Sequence, residues 1–502
     1  MHQRIYNRFI KKIIGALPRV TGDIFIYGIG GSLAQVVGLI TIPILTRILP
    51  SAEVGSVDVI YATTNFIFIL LALNLVSGLM RFFYEVTEDS VQDRREMVSS
   101  VFWFTFLFSG LIVVFVAIFS RQLSGLLFSN PEYADAIVLA TGILPFTAFK
   151  NIFASVLRMK RKPIQYLVIN LFQAVISFGL ILLFVLGLDR GINGYFGAQV
   201  FAGLIVTVIS AWLCRDYLGL VFSKRWFSVM ASYSLPMLPG GFLNWGMMSI
   251  NRILLTQYTT QNQIAYFSVA TKTAKVIELA VTAFIMGWLP VFLENINSET
   301  FYKKLNKAFR YYSYATLALS AMMTLFAKEF FFILAPPEYQ VGIPLVALLC
   351  LKQVFTGSTY TYTVGITKTK KSYYVSISTG IGVVITVLLS LVLLPRYGIL
   401  GAAIADAVGI LVYALVMLIF SNRLVKIELT YKPIIWTFLS YIAVWLISIN
   451  VSFSNPTADF LFRAGLLGIF VIVLFVIIDQ KEIISTIMKA FSASDNVELP
   501  QK

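Results

Sequence analysis

Apolar residues run through this chain in stretches of about 20, the length that crosses a hydrocarbon layer as an α-helix. Fourteen spans are predicted, at approximately 23–48, 55–80, 98–120, 134–157, 164–188, 192–214, 228–255, 263–293, 308–327, 341–366, 373–394, 399–421, 433–450 and 461–479. The turns between them are too short to hold a soluble domain. Ahead of the first span, Ile5, Phe9, Ile10, Ile13, Ile14 and Leu17 recur at helical spacing, with Arg4, Arg8, Lys11 and Lys12 between them. That pattern predicts an amphipathic helix on an anionic membrane face. It does not read as a cleavable leader, because the apolar run that follows is too long and lacks a small-residue cleavage site.

Composition agrees with an all-α polytopic membrane protein: the 502 residues are 58% hydrophobic and 13% charged, with mean hydropathy +0.83. The net charge of +15 would suggest nucleic acid in a soluble protein. Here it is topological. With the N-terminus in the cytoplasm, 28 of the 39 Lys and Arg fall in the tails and in every second loop, as the positive-inside rule requires. Only Arg121, Arg190, Lys328, Arg396 and Arg463 fall in outer loops. Both termini are therefore expected in the cytoplasm, and no nucleic-acid partner is implied. The two cysteines, Cys214 and Cys350, lie in apolar segments and offer no disulfide framework or metal cluster. The sole histidine is His2, which leaves no histidine-based catalysis or metal site.

The chain also repeats. Arg47-Ile48-Leu49 is echoed by Arg252-Ile253-Leu254, the basic turn Arg158 to Arg161 by Lys368 to Lys371, and the pair Gly191 and Gly194 by Gly398 and Gly401. Nearly constant offsets predict two six-helix lobes, at 21–218 and 219–427, related by an axis along the membrane normal. The remaining segments are a cytoplasmic N-terminus at 1–20, two further helices at 428–480 and a cytoplasmic tail at 481–502. Gly28, Gly30, Gly31 and Pro43 in the first span, and Pro236, Pro239, Gly240 and Gly241 in the seventh, mark corresponding weak points. They suit a gating pair, or kinks without gating.

Charge inside the spans is the chief functional signal. Six cations fall there: Arg47, Lys150, Arg252, Lys272, Lys275 and Lys352. Glu278 and Asp406 oppose them, with Asp58 near the mouth of the second span. Each such charge costs roughly 2.5–3.5 kcal/mol at mid-bilayer, so a wet interior is required. A positive excess there attracts anions, and phosphate is a natural ligand of Lys and Arg. Other readings stand beside this one. Lys275 and Glu278, three apart, can neutralise each other. Arg47, Arg252 and Lys150 can snorkel to headgroups. Asn244, Asn251, Thr271, Thr273, Gln353, Thr356 and Ser358 can line a path for sugar hydroxyls, or bond between helices. Tyr360, Tyr362, Tyr373 and Tyr374 suit an interfacial belt, or stacking on sugar rings.

The basic N-terminus, then Gly31-Ser32, Gln35, Gly38, the run Thr41 to Pro50 and Gly55, resembles the opening of polysaccharide-biosynthesis flippases. These belong to the multidrug/oligosaccharidyl-lipid/polysaccharide exporter superfamily. The Arg158 to Pro163 turn and the Gly398 to Ala402 element are similar to junctions of the same family. The resemblance implies a two-lobed, alternating-access flippase with no enzymatic activity. It would move an undecaprenyl-pyrophosphate-linked oligosaccharide across a bacterial inner membrane for surface polysaccharide synthesis. The lipid-linked oligosaccharide and membrane lipids are then its partners, with a polysaccharide polymerase and a chain-length regulator as further candidates. No cofactor is implied. Substrate cations would be Lys272, Lys275, Lys352, Lys150, Arg47 and Arg252, and proton or sodium coupling would fall to Glu278, Asp406 or Asp58. The last two helices would form a groove for the lipid tail.

Two rivals make different demands. A drug or cation antiporter of the same superfamily requires an interior dominated by carboxylates. A membrane polymerase, ligase or glycosyltransferase requires a catalytic constellation on a sizeable outer loop, and the longest outer loops hold about a dozen residues without an acid/base pair.

Overall fold

The computed structural model describes residues 38–86, 90–295, 298, 301–427, 429–451 and 453–477. The predicted amphipathic N-terminus, the glycines at 28, 30 and 31, Ser32, Gln35 and the C-terminal tail lie outside the described residues. The described chain is almost entirely helical. Its helices are α1 (Gly38–Ile48), α2 (Ser51–Ala72), α3 (Leu75–Phe82), α4 (Val91–Phe128), α5 (Ala134–Met159), α6 (Pro163–Ile181), α7 (Gly191–Leu213), α8 (Lys224–Ser234) and α9 (Leu238–Tyr258). They continue as α10 (Gln261–Ala274), α11 (Val276–Asn295), α12 (Phe301–Leu325), α13 (Ala327–Leu334), α14 (Val346–Tyr362), α15 (Val364–Thr369), α16 (Tyr373–Leu424), α17 (Lys432–Asn450) and α18 (Pro456–Ile477).

Among the described residues, nine helices are long and apolar enough to cross a membrane, or ten if α12 and α13, bent by 68°, form one span. The expected count of fourteen is not reproduced in that form, for local reasons. Consecutive left-handed residues, Leu73 and Asn74, divide the span expected at 55–80. A 3-10 turn at Leu235–Met237, where Pro236 removes a backbone donor, separates α8 from α9. Lys275 interrupts the span expected at 263–293. The spans expected at 373–394 and 399–421 run on as α16, broken at Gly398 (φ 53°, ψ −130°). Side chains such as Leu107, Leu111 and Ile118 on α4 are 65–71% exposed, an apolar exterior that lipid accepts and water does not.

Both sequence-matched glycine pairs adopt one geometry. Gly191 and Gly398 each have φ +53°, a conformation open to glycine and strained for side-chain-bearing residues. At Gly194 and Gly401 an added Cβ would press on the carbonyl oxygens of Phe184 and Leu393, so the preceding helix folds back closely. The first halves of these hairpins therefore pack on the second, as α6 does on α7.

One apolar cluster joins residues from both predicted lobes, including Leu45, Ile60, Ile137 and Phe196 with Phe267, Ile277, Tyr312 and Leu349. Within it α2 packs tightly on α10, where a Cβ at Gly55 would collide with the Gln261 carbonyl oxygen. That contact sets Asp58 of α2 beside the lysines of α10. A second cluster attaches α17 and α18 to α12 and α14 through Leu317, Leu351, Tyr441 and Phe470. Tyr441 also donates to the Ala347 carbonyl at 3.1 Å. At the C-terminal end of α12, Arg463 of α18 reaches both Glu329 oxygens (2.9 and 3.0 Å), Asp459 (2.9 Å) and the Leu325 carbonyl. Cys214 and Cys350 are unpaired and buried.

Candidate functional site: a two-chambered cationic interior

Two adjoining cavities lie where α2, α10 and α11 meet their neighbours. The first, of about 420 Å³, is walled by α1, α2, α5, α6, α7 and the α10–α11 junction. The second, of about 750 Å³, is walled by α2, α9, α10, α11, α14 and α16. Asp58, Tyr61, Lys275 and Glu278 line both. The interruption at Lys275 sets that side chain, exposed, at the boundary, with Lys272 one turn before it facing the first cavity.

Five of the six expected cations reach these cavities. Lys150, Lys272 and Lys275 line the first, and Arg252, Lys275 and Lys352 the second. They are differently committed. Lys150 donates to Gln173 Oε1 at 2.6 Å, a neutral partner. Arg252 Nε donates to Asp58 Oδ2 at 2.7 Å, and both side chains are mostly buried. Lys352 Nζ lies 2.6 Å from Asp406 Oδ2, with the two side chains 6% and 4% exposed. Asp406 Oδ1 accepts from Asn251 Nδ2 at 2.6 Å, and Ser390 Oγ donates to Asn251 Oδ1. Among the described residues, no ion pair forms at Lys272, Lys275 or Glu278.

Four expectations change accordingly. Lys352, whose central position in its helix suggests an open cation, is instead neutralised, because a charge this deeply buried requires a partner. Asp406 and Asp58, expected as ion carriers, are the partners that neutralise Lys352 and Arg252. Lys275 and Glu278 do not pair with each other. Arg47 lines neither cavity: it is exposed and donates to the Pro43 and Phe332 carbonyls at 3.0 and 3.1 Å. Thr46 beside it donates to the Leu334 carbonyl at 2.7 Å. Together they satisfy carbonyls that α13 leaves open at its C-terminus. Arg47 and Arg252, matched in sequence, each donate to the carbonyl four residues earlier but differ in the second partner, the Phe332 carbonyl for Arg47 and Asp58 for Arg252.

Counting Asp406 behind the wall, Lys150, Arg252, Lys272, Lys275 and Lys352 face Asp58, Glu278 and Asp406, which leaves the interior positive. Of the expected polar residues, Asn244, Thr271, Gln353, Thr356 and Tyr360 line the second cavity. Thr273 and Ser358 bond their own helices, at the Val269 and Val354 carbonyls. The sequence reading missed the wall of the first cavity, where Gln199 donates to the Tyr61 hydroxyl and Tyr61 and Tyr195 hydroxyls sit 3.3 Å apart. Isolated amides and phenols among apolar residues of 164–214 were the available signal.

The fold and this charged interior define a polytopic, all-α membrane protein with a cationic core. The architecture is similar to that of the lipid II flippase MurJ in its inward closed conformation, with a TM-score of 0.72 and 14% identity over 90% of this chain and 98% of that one. It is also similar to an inward-facing multidrug resistance MATE family transporter of the MOP superfamily, with a TM-score of 0.63 and 15% identity over 79% of this chain and 94% of that one. Residues 20–296 match the polysaccharide biosynthesis protein family, and the chain belongs to it. A curated relative, the succinoglycan biosynthesis transport protein ExoT of Rhizobium meliloti (strain 1021), is 22% identical over 353 residues, 67% of each chain.

Proposed function

We propose that the protein flips an undecaprenyl-pyrophosphate-linked oligosaccharide from the cytoplasmic to the outer leaflet of a bacterial inner membrane, for surface polysaccharide synthesis. The observation that carries the reading is the pair Lys272 and Lys275, one helical turn apart at the α10–α11 junction, facing the cavities without a carboxylate in ion-pair range. Such ammonium groups are poised for phosphate oxygens in a low-dielectric site. In this mechanism the pyrophosphate docks on the lysines while the interior is open to the cytoplasm, and the polyprenyl tail stays in lipid. Rocking of the lobes 21–218 and 219–427 then exposes the headgroup outside. The segment 428–480 guides the tail, and both termini remain cytoplasmic. Glu278, which forms no ion pair among the described residues and faces both cavities, is the carrier for proton or sodium coupling. A polymerase and a chain-length regulator act on the product at the outer face. No bond in the substrate is made or broken.

Reconstitution into vesicles with a fluorescent undecaprenyl-pyrophosphate-linked oligosaccharide tests this. The wild type should move the headgroup to the opposite leaflet with the lipid chemically unchanged, and Lys272→Ala/Lys275→Ala should not. Movement by that double variant at the wild-type rate eliminates these lysines, and a chemically altered lipid eliminates transport as the primary activity.

A further inference from the structure

The two cavities differ in which of their groups are already committed, and the difference is complementary. In the first, each amide already holds one partner: Gln173 accepts from Lys150, Gln199 donates to Tyr61, and Asn170 donates to the Tyr166 carbonyl at 2.9 Å. The ammonium groups of Lys272 and Lys275 form no ion pair among the described residues. In the second, the cations that belong to it alone are spent, Arg252 on Asp58 and Lys352 on Asp406. Its amides are not. Asn65, Asn244 and Gln353 line that cavity, and no side-chain hydrogen bond of theirs forms within the described protein. Asn65 and Asn244 are exposed, and Gln353 is half-buried.

An uncommitted carboxamide presents an acceptor and two donors close together, which matches the alternating donor and acceptor character of neighbouring sugar hydroxyls. The Tyr360 ring, 48% exposed on the same wall, adds an apolar face suited to the C–H side of a pyranose. The cavity, at about 750 Å³, is within the roughly 300–1,000 Å³ of small-molecule sites. A phosphate there would meet Lys275 as its one cation outside an ion pair among the described residues, whereas in the first cavity Lys272 and Lys275 stand together.

We infer that the second cavity is a separate sugar compartment, in which Asn65, Asn244 and Gln353 bind uncharged, hydroxyl-bearing residues of the glycan while the pyrophosphate sits in the first cavity. The inference rests on the flippase reading and adds to it a division of the headgroup at Lys275 and Glu278. These three amides are then the determinants of glycan selectivity, and they act independently of the lysines.

Two probes separate the compartments: farnesyl pyrophosphate, which carries the anion without sugar, and a farnesyl-pyrophosphate-linked neutral disaccharide. Binding is measured by titration of the purified full-length protein. Wild type should bind the disaccharide probe more tightly than farnesyl pyrophosphate. Asn244→Ala and Gln353→Ala should each remove about tenfold of disaccharide affinity, as for one or two lost hydrogen bonds, and leave farnesyl pyrophosphate affinity unchanged. Lys272→Ala/Lys275→Ala should weaken both probes together. Retained farnesyl pyrophosphate binding also reports that the amide variants are folded. Amide variants that bind both probes like wild type, or lose both in parallel, overturn the compartment. If wild type binds neither probe, the flippase reading itself fails, a result distinct from the loss of the compartment alone.

Discussion

Replacing Lys352 with Met should destabilise the protein before any substrate is involved. The ammonium lies 2.6 Å from Asp406, both side chains are nearly inaccessible, and the other carboxylate oxygen is held by Asn251. Removing one member of such a pair strands a buried charge, at a cost of about 3–5 kcal/mol. The pair also joins α14 to α16, so the loss should loosen the wall of the second cavity. Lys272→Met makes the contrast. Lys272 forms no ion pair among the described residues, and its neighbour Asp58 keeps Arg252, so the variant should keep its stability within about 1 kcal/mol of wild type or exceed it. It should instead lose roughly 1.5–3 kcal/mol of phosphate binding, about 10- to 150-fold, as for a hydrogen bond to a charged group. Intrinsic tryptophan fluorescence during heating of the purified protein reads the first quantity, and titration with farnesyl pyrophosphate the second. Adding Asp406→Leu to Lys352→Met should restore stability, because replacing a whole buried pair by apolar groups is close to neutral or favourable. A Lys352→Met protein that melts like wild type, or a double variant no better than the single, refutes the reasoning.

Three further outcomes are expected. If Glu278 carries the coupling proton, Glu278→Gln should flatten the pH dependence of transport in vesicles, and an unchanged profile removes it from coupling. Gly55→Val should cost about 1–3 kcal/mol by forcing α2 from α10 at the Gln261 carbonyl, which thermal unfolding detects; an unchanged midpoint contradicts that close approach. Single cysteines at 368–371 should react with an impermeant maleimide only from the cytoplasmic side and those at 258–262 only from the outside, and the reverse pattern overturns the proposed orientation.

Much of the helical layout was readable before the structure, because lipid imposes length and apolarity on each span. The matched turns at Gly191 and Gly398 were readable too, since a left-handed turn restricts the choice of residue. Charge inside the spans singled out residues that the fold brings together: Lys150, Arg252, Lys272, Lys275 and Lys352 line the two cavities. Their commitments were not readable. Lys352 and Asp406 are 54 residues apart and Arg252 and Asp58 are 194 apart, so only the packing of α14 on α16 and of α2 on α9 reveals the pairs. Arg47 illustrates the same limit in reverse. An arginine at a helix end reads alike whether it faces a cavity, a headgroup or a neighbouring helix, and here the open carbonyls of α13 decide.

The docking of α13 also bears on how the chain is assembled. Its last carbonyls are held by Thr46 and Arg47 near the beginning of the described chain, and Glu329 in its first turn by Arg463 near the end. At about 5–20 residues per second, a ribosome that has completed Leu334 needs roughly 6–26 s to reach Arg463. Throughout that interval an eight-residue helix carrying Lys328 and Glu329 waits without its final clasp. A nascent protein halted before the last span would leave those charges exposed to quality-control proteases, so truncation near the C-terminus should shorten cellular lifetime even where earlier helices have inserted.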